Sequence, residues 1–174
     1  MIVLHSMKTR HMSESDWAAI SRIYTEGIRT GIATFESAPP AAWDEWISKR
    51  LRECCIVCED AGEILGWGAL SPVSARYVYR GVAEVSVYVA EAHRGKRVGH
   101  VLLDGLIALS EREGIWTLQG QIFPQNTRSI ELHKKHGFRQ VGVRLRIGRM
   151  TYGPFQGEWR DNVLMERRSV VVGI

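Results

Sequence analysis

The chain has 174 residues, of which 45% are hydrophobic and 24% charged, enough apolar material for one domain with a complete core and a poor match to a disordered chain. Its formal net charge of +4 favours anionic ligands, but the basic residues fall at 94–97, 134–135 and 144–149 instead of one long run, and no base-stacking aromatic motif accompanies them. Residues 1–6 hold a short apolar triplet without a charged segment and a long apolar run, so neither a signal peptide nor a membrane span is expected.

Residues 7–12 read as a first strand. A helix follows over 16–30, capped by Ser13 or Ser15, with Trp17, Ile20, Ile23, Tyr24 and Ile28 turned inward at three- and four-residue spacing. Pro39-Pro40 opens a second helix to about Arg52. Strands at 56–60 and 64–71 flank Ala61-Gly62-Glu63, which reads as a hairpin turn. Cys54, Cys55 and Cys58 invite a metal or redox reading. On a strand, however, Cys55 faces away from the other two, and those are separated by roughly 13 Å at about 3.3 Å per residue. Sulfurs sharing one zinc must lie far closer, so buried structural thiols are expected and no metal site. An odd cysteine count without a secretory signal fits a reducing, cytoplasmic setting.

A strand over 82–89 alternates, placing Glu84, Ser86 and Tyr88 on one face and Val85, Val87 and Val89 on the other. A carboxylate on a central strand is costly to bury without a reason, so Glu84 is either a surface or ion-paired residue or chemically used. Next comes a basic turn, Arg94-Gly95-Lys96-Arg97-Val98-Gly99-His100, opening a helix in which Val98, Val101, Leu102, Leu106 and Leu109 recur on one face until Gly114 stops it. The N–H groups of a first helical turn lack intrahelical partners and the helix dipole is positive there, so this turn is an anion cradle. It is neither a dinucleotide fingerprint nor a Walker loop, since Gly-x-Gly-x-x-Gly and Gly-x-x-x-x-Gly-Lys-[Ser/Thr] are both absent. A strand at 117–123, a helix capped by Asn126, and strands at 139–147 and 162–168 complete a mixed α/β (α+β) sheet in one domain, without repeat or linker.

The turn, taken with Asn126-Thr-Arg-Ser129-Ile-Glu-Leu-His133-Lys-Lys-His-Gly137-Phe138, resembles the acetyl-CoA site of the GNAT superfamily of N-acetyltransferases. That family's patterns are [Gln/Arg]-x-x-Gly-x-[Gly/Ala], then Asn-x-x-[Ala/Ser]-x-x-Leu-[Tyr/His]-x-x-x-Gly-[Phe/Tyr]. One position departs: Arg97 stands where the family has the first glycine of its turn. Either the cradle is weakened, if its backbone needs positive φ there, or a direct phosphate contact is added, and the second is expected. Thr34-Phe35-Glu36, Trp46-Ile47, the 72–79 loop, the 83–89 strand and Gly157-Glu158-Trp159-Arg160-Asp161 resemble the subgroup of phosphinothricin and methionine sulfoximine N-acetyltransferases, over roughly residues 8–168. The subgroup's pattern begins near Lys8, so residues 1–6 read as an N-terminal extension and Met7 as an alternative start.

The resemblance implies a GNAT fold whose central sheet splays between its fourth and fifth strands. Val87, Tyr88 and Val89 would bond the pantetheine arm as a neighbouring strand would, and Arg94, Gly95, Lys96, Arg97, Val98, Gly99 and His100 would hold the pyrophosphate. Asn126 and Ser129 would face the arm, although capping alone accounts for Asn126. Glu84 would be the general base, through a water, and His133 either the acid that protonates the leaving thiolate or a packing residue. Phe35, Arg76, Tyr79, Glu84 and Ser86 would line the acceptor site, with Arg76 pinning a carboxylate. Trp159 and the Gly157 hairpin would contribute across a homodimer. Val73 and Gly81 stand where some subgroup members have tryptophan. The expected activity is acetyl transfer from acetyl-CoA to the amine of a small amino-acid-like acceptor, without a metal; another amine such as a polyamine or a protein N-terminus, or a non-catalytic acyl-CoA-binding regulator, are the alternatives.

Overall fold

The computed structural model describes residues 7–174, so the proposed extension at 1–6 lies outside the described residues. Seven strands form one sheet: β1 (Lys8–His11), β2 (Cys55–Asp60), β3 (Glu63–Pro72), β4 (Val82–Val89), β5 (Thr117–Ile122), β6 (Arg139–Arg149) and β7 (Trp159–Arg168). Their order across the sheet is β1-β2-β3-β4-β5-β7-β6, antiparallel throughout except for β4 beside β5. Helices α1 (Trp17–Ile28) and α2 (Trp43–Ile47) pack on one face, and α3 (Val98–Arg112) and α4 (Thr127–Lys135) on the other.

Local chemistry accounts for most of these boundaries. Asp16 starts the first helical segment by accepting from the Ser13 N–H at 2.8 Å, while Arg10 holds the same carboxylate at 2.8 and 2.9 Å. Ala61 and Gly62 both take positive φ, 48° and 84°, as a two-residue hairpin turn requires, and Glu63 already pairs with Asp60. The second helix is a correction to the sequence expectation: it spans only Trp43–Ile47. Beyond it, Arg50 N–H reaches back only three residues to Ile47 O at 3.1 Å, and Leu51 N–H is taken by Leu70 O on β3 at 2.9 Å. That long-range bond draws the chain out of the helix.

Two cores form because each strand alternates across the sheet. Ile56, Leu70, Val85, Leu102, Leu106, Leu118 and Met165 fill the α3 side; Ile20, Ile23, Trp46, Val57 and Trp67 fill the α1 side. Removing each such side chain from water contributes about 1.5–3 kcal/mol. Gly68 lets α3 approach closely, since a β-carbon there would lie 2.9 Å from Leu106. The cysteines split between the two cores, Cys54 and Cys58 on one side and Cys55 on the other. Burial pushes the Cys54 thiol up to about 11 and the Cys55 thiol to about 12.

Gly81 is occupied from outside its own loop. The Trp116 N–H donates to Gly81 O at 2.8 Å, and the indole fills the space a β-carbon at 81 would need. Gly81→Ala is therefore expected to cost about 1–3 kcal/mol through overpacking. Thermal melting followed by circular dichroism reads this, and an unchanged midpoint would mean that the indole swings aside at no cost.

Candidate active site

The parallel ladder between β4 and β5 holds only Val82, Ala83 and Glu84 against Thr117, Leu118 and Gln119. Beyond Glu84 the two strands part, yet β4 stays paired to β3 as far as Val89 opposite Gly66. A cavity of about 730 Å³ opens in the gap, walled by β4, the first turn of α3 and the N-terminal half of α4, a size suited to an extended small-molecule ligand. Its polar floor and basic mouth come from different elements.

At the mouth, Arg94, Gly95, Arg97, Val98, Gly99 and His100 line the cavity and Lys96 does not. Arg97 is the N-cap of α3 and sits in the left-handed region, at φ 69° and ψ 3°. The backbone there does need positive φ, so this arginine occupies a glycine conformation at some cost in strain. Gly95 takes φ 80° without such cost. The first bonds of the helix run from His100 and Val101 N–H to Arg97 O at 3.0 and 3.2 Å, and Lys96 N–H is taken by His93 O at 3.3 Å, which leaves the Val98 and Gly99 amides as donors for an anion. Arg94 donates through Nε to Val89 O at 3.3 Å and so ties the cradle to the end of β4. The His100 Nδ1 lies 2.9 Å from His136 Nε2, and His136 Nδ1 is 2.9 Å from Asp104. Burial and the neighbouring cationic groups lower the His100 pKa.

On the floor, alternation delivers Glu84, Ser86 and Tyr88 to the α1 side as expected. Tyr88 stacks on Trp67, ring centroids 4.6 Å apart, and burial raises its phenol pKa. Glu84 accepts from the Gln121 amide of β5. Gln121 Oε1 in turn accepts from Asn162 Nδ2 at 2.8 Å and from Arg144 at 3.1 Å. Asn162 is buried and its Oδ1 has no partner among the described residues. Gln121 and Asn162 also line the cavity, and neither was singled out in the sequence. The polar Asn162 at a buried position of β7 left no local mark in the sequence, and Gln121 is exposed on β5.

Asn126 does cap α4: its Oδ1 accepts from Ser129 N–H at 3.3 Å, while its amide reaches toward Ile32 O at 3.4 Å. Asn126, Ser129 and His133 all face the cavity. His133 is 4% exposed, and its Nδ1 lies 2.8 Å from Ser129 O, which can only accept. The ring proton therefore resides on Nδ1, and Nε2 is buried with no partner among the described residues. Burial lowers the His133 pKa, which disfavours the charged ring, and in the neutral tautomer Nε2 carries a lone pair. His133 packs edge-on against Phe138, centroids 4.9 Å apart. A positioned general acid contributes about 10²–10⁴-fold, whereas His133→Phe is expected to keep kcat within about fivefold. A hundredfold loss, together with loss of the alkaline limb of the pH–rate profile, would restore the acid role.

Among the acceptor-side candidates, Phe35 lines the cavity and leans on Phe123, centroids 4.8 Å apart. Arg76 and Tyr79 do not line it. They lie on the exposed loop that enters β4 at its paired end, whereas the cavity opens beyond Glu84 at the other end; the Arg76 guanidinium sits 5.4 Å from the Tyr79 ring centroid. Val73 and Gly81, on the same loop, are outside as well. The basic side chain that does reach this part of the cavity is Arg50. Trp159, 57% exposed, pairs with Arg149 across the β6–β7 hairpin.

Comparison with known proteins agrees with this geometry. The model of the Acetyltransferase (GNAT) family matches residues 17–138. A phosphinothricin N-acetyltransferase of Alcaligenes faecalis is 36% identical over 167 residues, covering 91% of this chain and 80% of the relative. An L-methionine sulfoximine/L-methionine sulfone acetyltransferase of Pseudomonas aeruginosa is 28% identical over 166 residues, covering 92% and 94%. Among solved structures, a GNAT superfamily phosphinothricin acetyltransferase of Sinorhizobium meliloti in complex with acetyl-CoA superposes with a TM-score of 0.82 at 28% identity, covering 93% of this chain and 88% of that one.

Proposed function

Since the chain belongs to the GNAT family of acetyltransferases, we propose that it acetylates the α-amine of a small amino-acid-like acceptor of the phosphinothricin or methionine sulfoximine/sulfone type, with Glu84 as a general base acting through a water. The observation that carries this reading is Glu84 at the point where β4 and β5 part, on the floor of a cavity whose mouth is the basic turn of α3. An amine must be neutral to attack. Glu84 takes the ammonium proton through water, the nitrogen adds to the thioester carbonyl, and the C–S bond breaks as the tetrahedral intermediate collapses. The backbone N–H of Val89, on the open side of β4, would steady the oxyanion, since the register turns that of Tyr88 toward β3. With the His133 ring proton held by Ser129 O, the thiolate takes, through water, the second proton that the nitrogen sheds as the intermediate collapses.

Acetyl-CoA fits the site on two independent grounds: beyond Glu84 β4 has no strand partner on its β5 side, as an amide-bearing arm requires, and the α3 turn supplies backbone donors beside Arg94, Arg97 and His100 for phosphate. A homodimer is part of the proposal. Val141, Val143, Leu145 and Ile147 form an exposed apolar row on the edge strand β6, near the exposed Trp159, and a second copy would cover it. Arg76 and Tyr79 could then meet an acceptor only in a partner's cavity. Three free, buried cysteines suit the cytoplasmic setting also proposed, and no described helix is long and apolar enough to cross a membrane.

Thiol release from acetyl-CoA against phosphinothricin, methionine sulfoximine, methionine sulfone, polyamines and peptide N-termini tests the reading. Turnover is expected with the first three. Turnover confined to polyamines or peptides would overturn the acceptor class, and donor binding without any release would make the protein a regulator.

A further inference from the structure

We infer that Arg50 is the carboxylate clamp of the acceptor site, the group that seats the acceptor's α-carboxylate so that its amine is presented toward Glu84. This rests on the reading that the acceptor is amino-acid-like. Arg50 follows α2 at the point where Leu51 leaves for β3, and its side chain lines both the main cavity and a smaller recess of about 360 Å³ that shares Tyr24 and Glu36 with it. The guanidinium lies 4.2 Å from the Trp46 ring centroid. Its Nε is buried and has no hydrogen-bond partner among the described residues.

A guanidinium half-buried in a cavity wall is costly, because desolvation disfavours the charged form and, among the described residues, neither a hydrogen bond nor an ion pair compensates it, only the Trp46 face and the more distant charge of Glu84. Burial indeed lowers the Arg50 pKa. Buried Asp16, 6% exposed, is by contrast paired, with Arg10 at 2.8 Å. Buried Arg160 donates through Nη2 to Gln125 at 2.8 Å, while its Nη1 has no partner among the described residues. Arg50 has neither kind of partner among the described residues, although Glu36 and Glu84 line the same cavity. The Trp46 ring face holds the guanidinium by a cation–π contact without using its N–H donors. A planar donor set held ready and left unmatched is what a bidentate carboxylate completes. The catalytic carboxylate stands in the same chamber, so one acceptor can place its carboxylate on Arg50 and its amine at Glu84. Arg76, the sequence candidate for this task, lies outside the chamber of its own chain.

The test measures kcat and KM for acceptors with a free α-carboxylate and for their α-carboxamides, in the parent enzyme, Arg50→Met and Arg50→Lys, with acetyl-CoA affinity and melting temperature recorded for each. The parent should favour the free acid strongly. Arg50→Met should raise KM for the acid by about 10- to 150-fold, with little change for the carboxamide and in donor affinity, since charged hydrogen bonds of this kind contribute about 1.5–3 kcal/mol. Arg50→Lys, which keeps the charge but not the fork, should fall between and remain folded if the methionine variant does not. An acid-to-amide preference retained in full by Arg50→Lys and Arg50→Met, or by the lysine variant where the methionine variant fails to fold, would make Arg50 a packing residue and overturn the inference while leaving the amino-acid reading intact. A parent enzyme with no such preference would remove the amino-acid reading and the clamp with it.

Discussion

Replacing Glu84 by glutamine is expected to lower kcat by about 10- to 1000-fold while acetyl-CoA affinity stays unchanged, because the substitution removes a proton acceptor and little volume. The surroundings make it a clean test. Glu84 is held by an amide donor from Gln121, which is itself fixed by Asn162 and Arg144. A glutamine at 84 can still accept that bond through its carbonyl, so the network and the floor of the cavity should persist. Single-turnover acetylation read alongside donor binding by calorimetry separates chemistry from affinity. Unchanged turnover would remove Glu84 from the base role. The partnerless Oδ1 of Asn162 is suited to receive a relay water, a polar site of the kind buried waters satisfy.

Arg97→Gly is expected to move two observables in opposite directions. The backbone at 97 is left-handed, at φ 69°, so glycine should relieve strain and stabilise the unliganded protein by up to about 1 kcal/mol. Donor affinity should fall about 5- to 30-fold, the solvent-discounted value of a charge-assisted phosphate contact, and the deficit should shrink as salt is raised. Melting curves with and without acetyl-CoA read both effects at once. If the variant instead binds acetyl-CoA more tightly, the side chain obstructs the cradle. The family's glycine pattern and this arginine thus share a backbone shape, and the arginine adds a charge at the expense of strain.

How much of this was legible in the sequence follows from the range of the interactions. The limits of β4, the α3 stripe, the Asn126 cap and the opposite facing of Cys54 and Cys55 are set by neighbours within a turn or a pleat, and each was readable from spacing alone. The short α2 was not, because Leu51 leaves the helix for Leu70, a partner 19 residues away on β3. The Glu84 network was hidden for the same reason: Gln121 and Asn162 come from β5 and β7 and meet Glu84 only after the sheet has assembled. Arg76 looked like the acceptor's arginine because its loop adjoins β4. Only the topology shows that the loop enters at the closed end of the β4–β5 pair, and that Arg50 reaches the open chamber from the other layer.

The early end of the β4–β5 ladder has a consequence for the life of the protein outside its catalytic cycle. An unpaired strand edge inside a sheet is a place where another chain can add, and among the described residues no strand pairs with β4 on that side beyond Glu84, although Arg94 reaches it at Val89 O. A bound donor would satisfy that edge, so the free enzyme should be the form prone to self-association and to rapid amide exchange at Val87 and Val89. By mass action, a donor pool a hundredfold above its dissociation constant would stabilise the native state by about 2.7 kcal/mol. Cellular acetyl-CoA would then set the lifetime of this protein as well as its rate.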